Sequence, residues 1–284
     1  MSQTKKSIIW ALLISVLIIF SIVTLKRGSL TLVVQDTKMT LDRKEHRLRY
    51  DFNIPLRGTP DFDALPDRLA SKGLNLGAPV FVRLFKAESK LELWMKKEGG
   101  FVLFETYPVC RWSGLLGPKL REGDRQSPEG FYSVTKRQLN PRSRWHRSFN
   151  IGFPNDFDRS FERTGSFIMV HGGCSSIGCF AVTNEAITEI WKLINASFAN
   201  GQKRFQVHSF PFRMTEQNMA AYQHQKWSMF WQNLKTGYDQ FELDHLPPEI
   251  SYCSGHYVVS PGRPGNSGEQ KLQKRCLPEL AVNR

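Results

Sequence analysis

The sequence predicts an α+β fold that is mostly β, with a helix flanking the sheet. Three observations carry this expectation. Between residues 80 and 107 three β-rich runs are separated only by short turns. After residue 179 the apolar period changes from that of a strand to that of a helix. Apolar residues make up 40% and charged residues 23% of the 284, an ordinary composition for a chain that buries a core.

Taken in order, the first feature is Ser7 to Leu25, a run of 19 uncharged, mostly apolar residues between Lys5-Lys6 and Lys26-Arg27. At about 1.5 Å rise per residue, such a run nears the roughly 30 Å hydrocarbon thickness of a bilayer. It ends in Ile22-Val23-Thr24-Leu25 rather than in small residues, which suits signal cleavage poorly. Residues 1–27 are therefore expected to be an uncleaved anchor, crossing the membrane through residues 8–25. Basic residues nearly balance across the span, so orientation is weakly encoded. With no second span, most of the chain is placed outside the cytoplasm. Five cysteines agree with that placement, because an oxidising compartment would pair four and leave one reactive thiol. Five reduced, buried cysteines in a cytoplasmic protein are the less consistent alternative. The net charge of +13 and pI of 9.7 favour anionic partners. Nucleic acid is disfavoured, since the Lys and Arg residues are scattered and no recognised binding motif is present.

Residues 28–74 form an N-terminal extension, read as a short strand at Ser29–Val34 and then a charged helix or linker. Val80–Phe85, Lys90–Met95 and Phe101–Tyr107 read as an antiparallel meander, with Phe131–Val134 a fourth strand and Ser148–Phe153 another. Phe167–Val170 is apolar on both faces, as expected of a central buried strand. Ile187, Ile190, Trp191, Ile194 and Phe198 recur at helical spacing behind a Thr183 cap. Gln206–Phe210 returns to strand. Residues 216–259 are expected to be a helical C-terminal extension with core aromatics. Residues 260–284, rich in Gly, Pro, Ser and Lys, read as a disordered tail.

The densest chemistry lies in Ile168-Met-Val-His171-Gly-Gly-Cys174-Ser-Ser176-Ile177-Gly178-Cys179. An apolar strand delivers a histidine, small residues follow, and a cysteine sits shortly before a helix. A thiolate is the nucleophilic form, and a nearby histidine or helical N–H groups favour it. Gly178 allows close backbone approach, and amides around Ile177 to Cys179 could face an oxyanion. Spacing alone leaves two other readings level: a disulfide with a packed histidine, or three zinc ligands at His171, Cys174 and Cys179.

The pattern His171-Gly-x-Cys-x-Ser176-x-Gly178-Cys179 resembles the catalytic motif of the YkuD-type L,D-transpeptidase family, in which an H-G segment precedes S-H-G-C. Gly123 to Tyr132 and Asn150 to Asn155 resemble that family's YafK-like branch, and the likeness covers roughly residues 75–215. It implies a sandwich- or barrel-like, mostly β catalytic domain over 75–215, working in the periplasm on peptidoglycan stem peptides. It further implies Cys179 as nucleophile and His171 as general base. Gly172 would orient that histidine through its carbonyl, and Ser176, Ile177 and Gly178 would form the oxyanion turn. No metal or organic cofactor is implied. Cleavage after the L-centre of diaminopimelate would leave a thioester, resolved by an amine or by water; a wall-attached lipoprotein is a candidate partner. Two departures stand out. Ile177 replaces a second histidine found in many relatives, and Ala181 stands where many carry Arg or Asn, a position associated with substrate carboxylates.

Cys174 is the competing nucleophile, but no glycine precedes a helix there. A disulfide with Cys110, and a second between Cys253 and Cys276, would leave Cys179 free; four cysteines allow three connectivities. Arg111, Lys119, Arg125 and Arg213 are candidates for stem carboxylates. His208 is expected to be structural, and Asp124 with Arg125 to shape a turn. Two other functions remain open: a zinc hydrolase on His171, Cys174 and Cys179, and a non-catalytic wall-binding anchor.

Overall fold

The computed structural model describes residue 34, residues 36–265 and residues 268–276. The expected anchor in residues 1–27 lies outside them, as does most of the expected strand at 29–34; Val34 itself is helical. Among the described residues no helix is long and apolar enough to cross a membrane.

Helix α1 (36–51) and helix α2 (Leu65–Ser71) precede the main sheet. Strands β1 (Val80–Phe85), β2 (Lys90–Lys97) and β3 (Gly100–Pro108) form the antiparallel meander read from the sequence. Strand β4 (Gly130–Thr135) does not extend that meander. Strand β9 (Arg204–Phe210) inserts between β1 and β4, parallel to β1 and antiparallel to β4, giving the order β3-β2-β1-β9-β4. A second sheet, β5-β6-β7-β8, joins Leu139–Asn140, Ser148–Asn150, Met169–His171 and Phe180–Ala181. None of the sheets closes into a barrel, so the barrel-like expectation gives way to separate sheets sharing a core.

Strand β1 is buried on both faces, as is most of β9, whereas the 167–170 segment is not. Along β1, Val80, Val82 and Leu84 enter the core shared with the second sheet and with helix α4 (Asn184–Ala199). The alternate residues Phe81 and Phe85 enter clusters with Phe241 and with Trp231 and Leu234, respectively, on the other side. Those partners come from helix α6 (Ser228–Asp244). A period of two that meets apolar matter on both faces reads as one continuous apolar run. Phe167, by contrast, is 76% exposed at φ 52°, and only Met169 and Val170 of its segment join β7.

Helix α4 follows the sequence pattern: Thr183 Oγ1 accepts from the Ala186 amide, and Ile187, Ile190, Leu193 and Ile194 are fully buried. The 216–259 region is only partly helical. Helix α5 (Glu216–Ala221) and α6 are followed by a hairpin of β10 (Glu249–Cys253) and β11 (His256–Ser260). The tail departs most from its composition. Gln273–Lys274 forms β12 beside β10, Leu272 is buried, and Cys276 is bonded to Cys253. One covalent tie and one apolar anchor outweigh a composition that would not bury a core alone.

Gly237 shows how closely α6 meets the main sheet. A Cβ there would lie 2.5 Å from the Phe131 ring. Gly237→Ala gains at most about 1 kcal/mol of helix propensity but overpacks a rigid ring, which typically costs about 1–3 kcal/mol. Denaturant unfolding is expected to show net destabilisation; an unchanged or raised midpoint would mean that α6 sits more loosely than described.

Candidate active site

Strand β7 delivers His171, and Cys179 sits immediately before β8. The two strands are parallel, with Val170 opposite Phe180 and His171 opposite Ala181. Paired residues project to one face, so Cys179, two residues before Ala181, continues the face that carries His171. The Met169 amide points at the Cys179 sulfur at 3.4 Å, and the thiol faces the Phe167 carbonyl at 3.6 Å. Gly178 has φ 138°, a backbone conformation that side-chain-bearing residues rarely adopt.

His171 is 3% exposed, and its Nδ1 lies 2.6 Å from the Gly172 carbonyl oxygen. A carbonyl accepts only, so Nδ1 carries the proton and Nε2 keeps the basic lone pair. Trp145 stacks on the imidazole, with ring centres 5.8 Å apart. Burial pushes the His171 pKa down, partly offset by the Gly172 carbonyl. Burial also pushes the Cys179 thiol up, against the Met169 amide and the charge of Lys119. Each shift favours the uncharged form of its own group.

The turn before Cys179 is held by hydroxyls. Ser176 Oγ donates to the Cys179 carbonyl at 2.7 Å and accepts from the Gly178 amide at 3.2 Å. Ser127 Oγ donates to the same carbonyl at 3.1 Å, while Ser113 and Ser176 share a hydrogen bond of 3.1 Å. The Gly178 amide is therefore engaged, which leaves the Ile177 and Cys179 amides as oxyanion candidates. Ile177 itself is 78% exposed.

Beneath this turn lies a fully buried ion pair. Lys86 Nζ donates to Glu129 Oε1 at 2.8 Å and to the carbonyls of Leu115, Gly117 and Ser127. Glu129 also accepts from the Gly117 amide and from Trp231 Nε1. Both loops that bear Ser113 and Ser127 are pinned here.

Several sequence candidates are resolved by these contacts. Cys110 is bonded to Cys174 and Cys253 to Cys276, leaving Cys179 as the free thiol. With its sulfur in a disulfide, Cys174 is neither a nucleophile nor a zinc ligand, so the zinc-hydrolase alternative loses its third ligand. His208 is buried in β9 among Phe81, Phe131 and Phe210, bonded to Gln206. Asp124 accepts from the amides of Leu120, Arg121 and Gln126, a turn role. Arg213 is committed to Glu92, whereas Arg111 is joined to Ala181 by an antiparallel bridge. Sequence reasoning did not single out Ser113, Ser127, Trp145 or the Phe167 carbonyl. They lie 12 to 66 residues from Cys179 along the chain, and no short-range pattern ties them to it.

The domain is mostly β, with a buried histidine on β7 and the free thiol just before the parallel strand β8, and residues 85–207 match the YkuD L,D-transpeptidase catalytic domain. The chain belongs to that family and so to enzymes that act on peptidoglycan. It is 46% identical over 185 residues to the protein named "Putative L,D-transpeptidase YafK" of Escherichia coli (strain K12), covering 65% of this chain and 75% of that one. The Escherichia coli O157:H7 protein of the same name gives the same figures. The crystal structure of the helical cell shape determining protein Pgp2 from Campylobacter jejuni aligns with a TM-score of 0.38 and 20% identity, over 63% of this chain and 67% of that one.

Two measurements follow from the site. Lys86→Met leaves Glu129 buried without its cation, and removing one partner of such a pair typically costs about 3–5 kcal/mol; a loss under about 1 kcal/mol in denaturant unfolding would show that the pair is not buried in solution. Because burial raises the thiol pKa, iodoacetamide alkylation of Cys179 in the free protein should keep accelerating from about pH 6 to beyond about pH 9. A plateau reached by about pH 7 would reveal a thiolate–imidazolium pair instead.

Proposed function

We propose that the protein is a periplasmic cysteine enzyme that opens stem-peptide bonds at the L-centre of diaminopimelate, with Cys179 as nucleophile and His171 as base. The observation that carries this reading is the tautomer imposed on His171. Its Nδ1 proton is held by the Gly172 carbonyl, so Nε2 is the atom able to take the thiol proton. The thiolate then attacks the stem carbonyl, and the Ile177 and Cys179 amides face the developing oxyanion. As the tetrahedral adduct collapses, the departing amine takes the proton from His171 and a thioester remains on Cys179. Water or a second amine, deprotonated in turn by His171, releases the acyl group. Resemblance to the YafK-like branch favours water, which would detach a wall-linked lipoprotein or open a cross-link. Two disulfides among the described residues support an oxidising compartment, and residues 8–25 would hold the enzyme at the inner membrane.

The test is intact-protein and product mass spectrometry of full-length protein with purified muropeptides, beside Cys179→Ala and His171→Ala. A thioester adduct on Cys179 is expected, absent in Cys179→Ala and formed about 10²- to 10⁴-fold more slowly in His171→Ala. The released product identifies the acceptor. Product formation that survives Cys179→Ala, or no adduct from any protein, would sink the reading.

A further inference from the structure

Helix α1 lies outside the matched domain, yet it is fastened to the catalytic loop. His46 Nδ1 meets the Val109 carbonyl at 2.9 Å, Arg47 Nη1 donates to the Cys174 carbonyl at 2.8 Å, and Arg43 Nη1 donates to the Gly114 carbonyl at 3.2 Å. Arg43 also lies over the Trp112 ring, 4.4 Å from its centre. Between the helix and the 111–114 segment is a cavity of about 560 Å³. Arg43, Lys44, Arg47 and Arg111 line it, together with Trp112 and Ser113, and among the described residues no acidic one does.

Counter-charge is scarce around these cations. Asp51, one turn along the same helix face, pairs with Arg47 at 2.8 Å. Glu45 is taken by Arg49 and Arg57. Burial and the charge of Arg111 both hold the Arg43 guanidinium below its usual range, and Asp36 opposes them only in part. Lys44 and Arg111 are exposed. Unbalanced positive charge over an apolar floor favours an anion with an organic body.

Hydrogen bonds connect the cavity wall to the turn that carries Cys179. Ser113 in its wall shares a hydrogen bond with Ser176, and Ser176 donates to the Cys179 carbonyl. Arg111 and Ala181 exchange both bonds of their bridge, N–H to O at 3.1 and 2.7 Å. Facing residues of such a bridge share a face, and Ala181 offers no charge there.

We propose that this cavity is a carboxylate-binding subsite, in which Arg111 and Lys44 seat an anionic peptide segment over Arg43 and Trp112 while the adjoining bond lies at Cys179. The N-terminal extension thereby becomes part of the substrate site. The subsite rests on the stem-peptide reading for the identity of its ligand, but not for its charge.

The test is calorimetric titration of full-length Cys179→Ala protein with a synthetic tetrapeptide stem bearing free carboxylates, and with its carboxamide counterpart. Lys44→Glu and Arg111→Glu are added singly, with Arg111→Lys as the conservative control. Each reversal is expected to weaken the free-carboxylate peptide about ten-fold or more, the size of one lost charge-assisted hydrogen bond. Arg111→Lys should retain most of the affinity, raised salt should weaken it, and the carboxamide peptide should respond to neither reversal. In proteins that keep the thiol, unchanged Cys179 alkylation rates would show that the reversals leave the catalytic turn folded. Equal affinity of parent and both reversals for the free-carboxylate peptide overturns the subsite. The two failures are distinguishable. Thioester formation on muropeptides with unchanged KM in both reversals removes the subsite and leaves the reaction. Reversal-sensitive binding without any thioester on the wild-type chain removes the reaction and leaves the subsite.

Discussion

The catalytic turn depends on an ion pair that never meets water. Lys86 leaves the end of β1, enters the interior, and finds four oxygen acceptors there, three of them backbone carbonyls. Glu129 answers from the start of β4 and binds α6 through Trp231. Burial disfavours the charged lysine, and the adjacent carboxylate opposes that shift. Taking two charges out of water is expensive, so such a pair is better understood as specifying one arrangement than as adding stability. Its geometry admits only one: the 115–117 and 127–129 backbones must converge on Nζ. Those backbones carry or adjoin Ser113 and Ser127, and through them the carbonyl of Cys179 is held.

Around that anchor, the site combines rigid parts with neutral ones. The Cys110–Cys174 disulfide ties the catalytic loop to the 109–111 segment, and α1 closes over both. His171 sits between Trp145 and the Gly172 carbonyl, so its ring orientation is set before substrate arrives. Burial favours the uncharged form of both imidazole and thiol. The neutral thiol is the less reactive form, since the thiolate is the species that electrophiles and oxidants engage. Phe167 adds a strained residue beside the sulfur, with φ 52° and its carbonyl facing the thiol.

The charge distribution links this chemistry to the N-terminal extension. Net positive charge was legible from composition, but composition does not say where the charge gathers. Arg43, Lys44 and Arg47 on one helix come to face Arg111 because α1 returns across the 109–114 segment. A surplus that could have been dispersed is therefore concentrated at one cavity, whose wall residue Ser113 is linked through Ser176 to the Cys179 carbonyl.

The sequence by itself determined the family, the meander of β1 to β3 and helix α4 with its Thr183 cap, and it singled out His171 and Cys179 as candidates. Local rules reach these, because period, capping and a motif within nine residues involve neighbours along the chain. Tertiary structure alone decided the rest. It put β9 between β1 and β4, buried β1 on both faces while exposing Phe167, and gave the tail a strand and a disulfide. It chose one of three disulfide connectivities. It also brought Ser113, Ser127 and Trp145 to the site, and set α1 over it. In each case the deciding partner is distant in sequence. No local pattern encodes which surfaces will meet; that choice is made by burying both faces of one sheet and by pairing buried charges such as Lys86 and Glu129.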